Sequence, residues 1–381
     1  MLHSTISHDI LGKYHGIFKD PSAEDSGILS SGNGSRIWKI HGPHSNFCLH
    51  RWPTEYPTQQ RLDFILAVLW HLREEGFSRV PQLIRTKENS LYTVSEGHFW
   101  HLESWLEGNA DYEQFPSREK LLSAVTTLAE MHQNLRAFPV EYNRGPCTSA
   151  AVYRQQLQGW TESKIENIFD RVCMLECIHG EGMSLTENTF LLELDHSVLN
   201  TGIFYSQKIF TSPDTNELSL PAEPVNIYHL HLLSKKILRK TKILRPILLR
   251  HLSQQLEHDV ALQPCLRNIQ TKNLLFKENR LQGILDFGNM QLDNISVDVS
   301  QTLSVLAGNE MEKWIDGLNA YQTIYRLTRR ELTLVRLLNQ CETLLTALKW
   351  LNFIYINNLV VECSSHVLSQ VKNIAWKLDA F

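Results

Sequence analysis

The sequence predicts an α+β fold in which a small strand-rich part precedes a larger helical part. Up to about residue 104, short apolar runs are separated by glycine, serine and proline, a pattern typical of strands and turns. From about residue 117, apolar residues recur at intervals of three and four, which indicates amphipathic helices. Within the helical part, the apolar runs LLF and GILDF predict a pair of short strands around the turn at residues 277–280.

The strand-rich part also contains one predicted helix, over residues 58–75, and Gly76 follows it as a stop signal. The predicted strands are the run GILSSGNGSRIWKI around a glycine turn, then NFCLHRW before Pro53, and later LYTVS and HFWHLESWL. The apolar face of the predicted helix consists of Leu62, Ile65, Leu66, Leu69 and Leu72.

The helical part is predicted to contain helices at residues 117–135, 150–179 and 230–258, and a helical tail from about residue 311. Pro246 is expected to interrupt the third of these helices, because proline lacks the N–H that a helix interior needs. The stretch 181–229 is polar, contains three prolines and has no clear period, so we expect a long loop or insertion there.

The overall composition excludes several classes of protein. A net charge of −4 does not suggest a nucleic-acid binder, and no apolar run approaches the roughly twenty residues that span a membrane. The first residues lack the basic and apolar regions of a signal peptide. The seven cysteines have no zinc-site spacing and are expected to be reduced thiols. We therefore expect a cytoplasmic protein without nucleic-acid or membrane partners, whose oligomeric state the sequence does not reveal.

One segment, KKILRKTKILRPILLR at residues 235–250, has seven basic residues and no acidic one. A basic amphipathic helix of this kind can contact a membrane surface, an anionic substrate or nucleic acid. The alternative is a solvated helix whose charges are balanced by acids elsewhere in the fold. We favour the second interpretation.

Two short segments carry the clearest chemical pattern: LRNIQTKNLLF at residues 266–276 and LQGILDFGNM at residues 281–290. They present an amide, Asn273, and a carboxylate, Asp286, thirteen residues apart. Oxygen ligands of this type suit Mg²⁺, and metal-assisted phosphoryl transfer needs such ligands together with a side chain that orients the attacking hydroxyl. Each segment alone is a weak signal, but the two in this order and spacing are fairly specific.

These paired segments resemble the catalytic loop and the metal-binding segment of the aminoglycoside phosphotransferase and choline kinase family, in which HGDxHxxNxLF precedes GxIDFG. The resemblance assigns metal binding to Asn273 and Asp286. It places Asn268 at the position of the catalytic Asp, with Arg267 beside it. Asp298 resembles the downstream acid that braces the catalytic loop. The chain is accordingly identified as a divergent, bacterial-type member of this family.

The resemblance extends to the nucleotide site. SSGNGSR corresponds to the family's nucleotide-covering loop, in which Ser31, Gly32, Asn33 and Gly34 would lie near the phosphates. HLESWLEGNA resembles the segment that joins the lobes, where main-chain groups from Glu103 to Trp105 would pair with adenine. LAEMHQNL resembles an early helix of the second lobe, and we interpret its His132 as structural.

The resemblance therefore implies a single domain with a two-lobed, protein-kinase-like fold. Residues 1–104 would form a small N-lobe of nucleotide-covering strands with one helix, and residues 105–381 a larger helical C-lobe. The implied cofactors are ATP or another purine nucleotide and Mg²⁺. The implied partner is an unknown small molecule that accepts the phosphoryl group on a hydroxyl.

Three departures from an active kinase are visible in the sequence. Asn268 can position a hydroxyl but cannot take its proton at neutral pH. The phosphate-binding Lys of the third strand is replaced by His50 or, with a one-residue shift of register, by Arg51. Only one of the two can point inward, because side chains alternate faces along a strand. The following helix has no obvious Glu partner for this cation, and Asp63 is the nearest candidate.

These departures leave two main hypotheses and a third. The first is an ATP-dependent phosphotransferase with an alcohol group as acceptor, weakened by Asn268. The second is a catalytically inactive pseudokinase that serves as a nucleotide- or protein-binding module. The third is a scaffold that binds no nucleotide. Asn273 and Asp286 favour nucleotide binding under the first two, and we prefer the phosphotransferase class while leaving catalytic competence open.

Overall fold

The structure is a computed structural model that describes residues 10–14, 23–24, 35–42, 44–179, 227–357 and 365–381. Within these residues the chain forms two compact units. The first contains the described residues up to Glu141 together with Gln263–Leu327, and the second contains the described residues of 142–262 together with Thr328–Phe381. The predicted lobes, residues 1–104 and 105–381, are not these units, and the boundary between the lobes stays a prediction.

The secondary structure confirms the predicted α+β class. In chain order the helices are α1 (Gln59–Glu74), α2 (Arg118–Leu135), α3 (Thr148–Gly159), α4 (Glu162–His179), α5 (Ile227–Leu256), α6 (Ser296–Leu306), α7 (Met311–Gln322), α8 (Arg329–Tyr355) and α9 (Ser365–Asp379). The strands are β1 (Ala23–Glu24), β2 (Arg36–His41), β3 (Asn46–Arg51), β4 (Leu83–Ile84), β5 (Thr93–Ser95), β6 (His98–Ser104), β7 (Arg144–Gly145), β8 (Val260–Ala261), β9 (Gln263–Cys265), β10 (Leu274–Lys277), β11 (Arg280–Ile284) and β12 (Gln291–Asp293).

The first unit contains an antiparallel sheet in the order β1-β2-β3-β6-β4, with β5 also paired to β6. One face of the sheet is apolar. Leu49 of β3 lies opposite Trp38 of β2 and Leu102 of β6, and all three are buried against Ile10 and Leu11. Because side chains alternate along a strand, the neighbouring residues Cys48 and His50 belong to the other face.

Helix α1 confirms the helix predicted over residues 58–75. It begins after Thr58, whose hydroxyl accepts the Arg61 N–H and so satisfies one of the free donors of the first turn. Its predicted apolar face is buried, which explains why a short segment with no acidic residue in its first turn remains helical. The buried residues of this face are Leu62, Ile65, Leu66, Val68, Leu69 and Leu72.

The predicted strand pair is a true hairpin of β10 and β11. The segment after β6 packs directly on it, since Asn109 and Phe276 exchange both backbone hydrogen bonds, at 2.7 and 2.8 Å. Two glycines permit this approach. A Cβ on Gly283 would lie 3.0 Å from Leu106 Cδ1, and a Cβ on Gly108 would lie 3.1 Å from the Phe276 carbonyl oxygen.

The second unit is mainly helical and corrects two predictions. Residues 150–179 do not form one helix, because the chain breaks between α3 and α4 at Trp160 and Thr161. Pro246 does not interrupt α5, because the helix has 30 residues and continues on both sides of the proline. The proline is exposed, while apolar residues such as Leu238 and Leu248 are buried on either side, so packing outweighs the lost hydrogen bond.

The basic segment 235–250 lies within α5, and its lysines confirm the interpretation of charges balanced by acids. Lys235 pairs with Glu176 at 2.6 Å, and Lys236 and Lys240 both pair with Asp379 at 2.5 Å. Lys242 lies 3.4 Å from Glu166. The predicted insertion at 181–229 lies outside the described residues, apart from the start of α5.

Six of the seven cysteines lie in the described part of the chain, and all six have free thiols, as expected. None of the described helices combines the length and the hydropathy that are needed to span a membrane.

The contact between the chain after β6 and the hairpin is tested by a pair of glycine substitutions. Gly97 and Gly108 both have positive φ, +74° and +134°, but only Gly108 is crowded by neighbouring atoms. We expect Gly97→Ala to lower the free energy of unfolding by about 1 kcal/mol through backbone strain alone. Gly108→Ala should add a crowding cost of about 1–3 kcal/mol. Urea unfolding of both variants measures the difference, and equal losses would contradict the proposed close packing.

Candidate active site

The two residues predicted to bind metal lie next to each other in the first unit. Asn273 ends a short 3₁₀ turn, Thr271–Asn273, that leads into β10, and Asp286 follows β11 with a φ of 64°. The Leu285 N–H donates to the Asn273 carbonyl at 2.9 Å, which fixes the two segments against each other. As a result, Asn273 Nδ2 lies 3.5 Å from Asp286 Oδ2. The amide therefore donates to the carboxylate, and the two neighbouring side chains also carry oxygens of the kind that Mg²⁺ prefers.

The carboxyl group of Asp286 experiences opposing influences. Desolvation by the surrounding protein raises its pKa, although the residue as a whole is exposed. A backbone hydrogen bond from Gly288, the positive charge of Lys272 and the Asn273 amide act in the opposite direction. Burial is the largest of these influences, so the pKa of the Asp286 carboxyl group is raised above its ordinary value.

A buried acid braces the loop that precedes Asn273. Asp298 is completely buried at the first turn of α6, and its two carboxylate oxygens accept the N–H groups of Leu266 and Arg267 at 2.7 and 2.8 Å. Gln301, one turn later on α6, accepts the Ile269 N–H at 3.2 Å and donates to the Arg267 carbonyl at 3.1 Å. These contacts confirm the bracing role predicted for Asp298.

His132 of α2 supports the same brace, as predicted for a structural histidine. Its Nε2 lies 3.2 Å from Asp298 Oδ2, and its Nδ1 lies 2.7 Å from the Tyr321 hydroxyl of α7. The Gln263 side chain donates to the His132 carbonyl at 2.9 Å. Although His132, Cys265 and Asp298 lie close enough together to hold a metal, the carboxylate already accepts hydrogen bonds from the loop.

Asn268 and Arg267 have different surroundings. Asn268 is half-buried, and its Oδ1 accepts a hydrogen bond from Gln270 Nε2 at 3.0 Å. Arg267 has a φ of 62°, and its guanidinium donates to Gln291 and lies 3.3 Å from the buried carboxylate of Asp293. Its side chain therefore ties the loop to β12, and the catalytic role predicted for it stays a prediction.

The structure distinguishes the two candidates for the third-strand cation. Arg51 lies on the apolar side of the sheet, with its guanidinium 5.8 Å from the centre of the Trp100 ring. His50 lies on the other side and stacks on Trp52, whose ring centre is 4.4 Å away. A Cβ on Gly288, two residues after Asp286, would lie 3.6 Å from Trp52. His50 therefore belongs to the sheet face nearer the metal pair, and its contact with phosphate stays a prediction.

His50 is part of a buried polar cluster. Its Nε2 lies 2.6 Å from the Ser35 hydroxyl, and its ring centre lies 5.0 Å from that of His101. Trp52 Nε1–H donates to His101 Nδ1 at 3.0 Å, and because indole is only a donor, the His101 proton is on Nε2. That nitrogen lies 3.2 Å from Glu103 Oε2. A network of three aromatic rings and one carboxylate thus occupies the sheet face.

This environment changes the expected charge of the cluster. Burial, and secondarily the neighbouring His101, lowers the pKa of His50 well below its ordinary value. His50 is therefore neutral at pH 7 and does not supply the positive charge of the lysine whose position it takes. Asp63 is the residue that the sequence suggested as partner of the third-strand cation, but it lies near Tyr92. Burial, and secondarily the negative charge of Asp63, raises the pKa of the Tyr92 hydroxyl.

The predicted adenine-binding segment is built between β6 and the hairpin. The Trp105 N–H donates to the Asn46 carbonyl at 3.0 Å, so this main-chain donor already has a partner. The Lys39 ammonium lies over the Trp105 ring, 4.7 Å from the ring centre. Glu103 contributes its side chain to His101, and its predicted main-chain contact with adenine stays a prediction. Ser31, Gly32, Asn33 and Gly34 lie outside the described residues.

Sequence reasoning did not single out Trp52, His101 and Lys39 as parts of this face. The strict alternation of β3 and β6 could have identified His101, because it shares a cross-strand position with His50. Trp52 follows the strand and has no such signal. Lys272 was also missed, although it immediately precedes Asn273.

The chain was compared with known proteins. Its sequence matches the phosphotransferase enzyme family over residues 27–332. The chain belongs to this family. The match confirms the resemblance to aminoglycoside phosphotransferases and choline kinases. No curated protein sequence matches the chain.

Solved structures confirm the kinase-like fold of this family member. An aminoglycoside phosphotransferase from Alicyclobacillus acidocaldarius is 11% identical, with a TM-score of 0.61 over 98% of this chain and 92% of that chain. Amicoumacin kinase in complex with AMP-PNP, Ca²⁺ and Ami is 10% identical, with a TM-score of 0.57 over 100% and 93%. A microcompartment-associated aminopropanol kinase is 10% identical, with a TM-score of 0.53 over 98% and 95%.

The lowered pKa of His50 has a measurable consequence for stability. The unfolded chain binds a proton near pH 6.5 and the folded chain binds it only at lower pH, so acidification below about pH 6.5 favours unfolding. We expect His50→Gln to flatten the fall in the free energy of unfolding over this range. Urea unfolding at several pH values measures the slope. An unchanged slope would mean that folding does not change the pKa of His50.

Proposed function

We propose that this protein catalyses phosphoryl transfer from a purine nucleotide, with Mg²⁺, to a hydroxyl of a small molecule, at a rate limited by Asn268. The observation that carries the proposal is the pairing of Asn273 with Asp286, at 3.5 Å, at the end of a loop braced by Asp298. Family membership supports the reaction class, and the acceptor is left unspecified.

Asn273 and Asp286 would hold the metal through their side-chain oxygens. Mg²⁺ favours such hard oxygen ligands and, when bound, neutralises charge on the nucleotide's phosphates. The related structures bound to AMP-PNP with Ca²⁺, and to ADP, support a nucleotide in this site. Ser31 to Gly34, His50, Arg51, Glu103 and Trp105 are the residues that the family resemblance assigns to the nucleotide, with Arg51 the less favoured because of its position on the apolar face.

Asn268 would act by orientation. Its amide oxygen can accept a hydrogen bond from the acceptor hydroxyl, but it cannot remove the proton as a carboxylate would. Phosphoryl transfer depends mainly on positioning and electrostatics, so turnover can survive this replacement. Loss of a general base typically lowers a rate by about 10²–10⁴-fold. The proposed activity is therefore slow relative to that of a relative with Asp at this position.

The alternative function is a pseudokinase, a nucleotide- or protein-binding module without turnover. Two observations favour it: Asn268 Oδ1 already accepts the Gln270 amide, and the third-strand position is held by a neutral histidine. Both functions predict nucleotide binding, so turnover decides between them. A protein that binds no nucleotide would support the scaffold hypothesis instead.

The metal assignment predicts the behaviour of Asp286→Ala. Removal of the carboxylate should reduce the enhancement of ATP binding by Mg²⁺ by more than about tenfold, because the variant lacks the site's only charged ligand. ATP binding without Mg²⁺ should change little. Calorimetry with and without Mg²⁺ measures both, with Asp316→Ala, which removes a surface carboxylate paired with Arg118, as the matched control. Equal losses with and without metal would show that Asp286 only shapes the turn.

The role of Asn268 is tested by restoring the carboxylate. We expect Asn268→Asp to raise phosphoryl transfer, or background ATP hydrolysis, by about tenfold or more, because a general base is supplied at an otherwise assembled site. Turnover is measured with ATP, Mg²⁺ and a panel of small hydroxylated acceptors, and Asn268→Ala serves as the control that lacks both a base and the orienting amide. Intact ATP binding with no turnover in either Asn268→Asp or the wild type would favour the pseudokinase.

A further inference from the structure

The proposed nucleotide site requires positive charge at its phosphate end. The phosphates of ATP carry several negative charges, of which one divalent metal neutralises only a part. In the described part of the chain, the third strand does not provide the positive charge that would balance the rest. His50 is held neutral beside Ser35 and His101, and Arg51 lies over Trp100 on the opposite face of the sheet.

Three other lysines or arginines lie on the sheet face of His50 or in the loop that leads to Asn273, and two of them are already engaged. Lys39 lies over the Trp105 ring, at the end of the sheet where the family resemblance places the base. Arg267 is bound to Gln291 and to the buried carboxylate of Asp293. Neither can reach a phosphate without giving up these contacts.

The third of these basic side chains is that of Lys272. It is exposed in the 3₁₀ turn that ends at Asn273, directly before the predicted metal ligand. No hydrogen bond or ion pair engages its ammonium within the described ranges of the chain. The turn that carries Lys272 has a well-defined position, because the Asn273 N–H donates to the Gln270 carbonyl at 3.0 Å and the Thr271 hydroxyl donates to Glu113.

We propose that Lys272 binds the terminal phosphate of the nucleotide and supplies, from the catalytic loop, the positive charge that the third strand does not. The proposal rests on the proposed nucleotide-binding function and adds a residue to it. A lysine suits this task because its ammonium is a compact charge on a flexible stem that can follow the phosphate. Its placement beside Asn273 would keep the charge next to the metal rather than on the sheet.

The proposal predicts a loss of affinity that depends on the number of phosphates. Lys272→Met should weaken binding of Mg²⁺–ATP by about tenfold or more, since a charge-assisted contact with phosphate is lost. Binding of AMP, which lacks the terminal phosphates, should change less than about twofold, by the same reasoning. Lys272→Arg should recover most of the ATP affinity because it keeps the charge.

The experiment is calorimetric titration of the full chain and of each variant with Mg²⁺–ATP and with AMP. The matched control is Lys277→Met, which removes an exposed lysine of the same loop-and-hairpin segment at the far end of β10. A selective loss of ATP affinity in Lys272→Met, absent in Lys277→Met, supports the proposal. Unchanged ATP affinity, or equal losses for ATP and AMP, overturns it while leaving the proposed function intact. A wild-type protein that binds neither ligand overturns the proposed function itself, and this inference with it.

Discussion

The candidate site depends on one buried carboxylate that accepts hydrogen bonds from two successive backbone N–H groups. A buried carboxylate is costly unless its oxygens are satisfied, and Asp298 meets this requirement with Leu266, Arg267 and the His132 ring. The same contacts hold Arg267 at a φ of 62°, a conformation that a non-glycine residue rarely adopts. The loop turns at this point, and its turn determines where Asn268 and Asn273 lie. Without the brace, Asn268 would have no defined position relative to Asp286, whereas Asn273 is also held by its backbone hydrogen bond with Leu285.

A second constraint is the close packing of backbone around the β10–β11 hairpin. Gly108 and Gly283 allow the chain after β6 to approach the hairpin, and the Asn109–Phe276 backbone pair completes the contact. The hairpin in turn places Asn273 before its first strand and Asp286 after its second, so one rigid element orients both proposed metal ligands. The polar cluster around His50 lies near the same end, through the proximity of Trp52 to Gly288. Small residues and backbone hydrogen bonds therefore bring the hairpin and the chain after β6 together.

Much of this arrangement could be predicted from the sequence, and the failures have physical causes. The period of the apolar residues predicted α1, and two apolar runs around a turn predicted the hairpin. The residue types and spacing of Asn273 and Asp286 suggested the metal pair, and the family resemblance implied its brace, Asp298. The charge of His50 could not be predicted, because its pKa depends on burial and on His101, which reaches it only after β3 and β6 pair. Helix α5 continues through Pro246 because tertiary packing outweighs a local preference. The ion pair between Arg267 and Asp293 could not be predicted either, because Asp293 lies on a three-residue strand that is too short to show a periodic pattern.

Under the proposed function, nucleotide binding and proton removal are carried by different parts of this chain. Binding would depend on Asn273, Asp286 and the charge near them, all supported by the Asp298 brace and the hairpin. Proton removal would depend on the side chain at position 268, where this chain has an amide in place of the carboxylate of the family's motif. A neutral β3 face shifts the required positive charge from the sheet to the loop that carries the metal ligands. A site organised in this way can retain its affinity for nucleotide while its rate changes through one side chain, because the groups that hold the phosphates are not the group that would accept the proton.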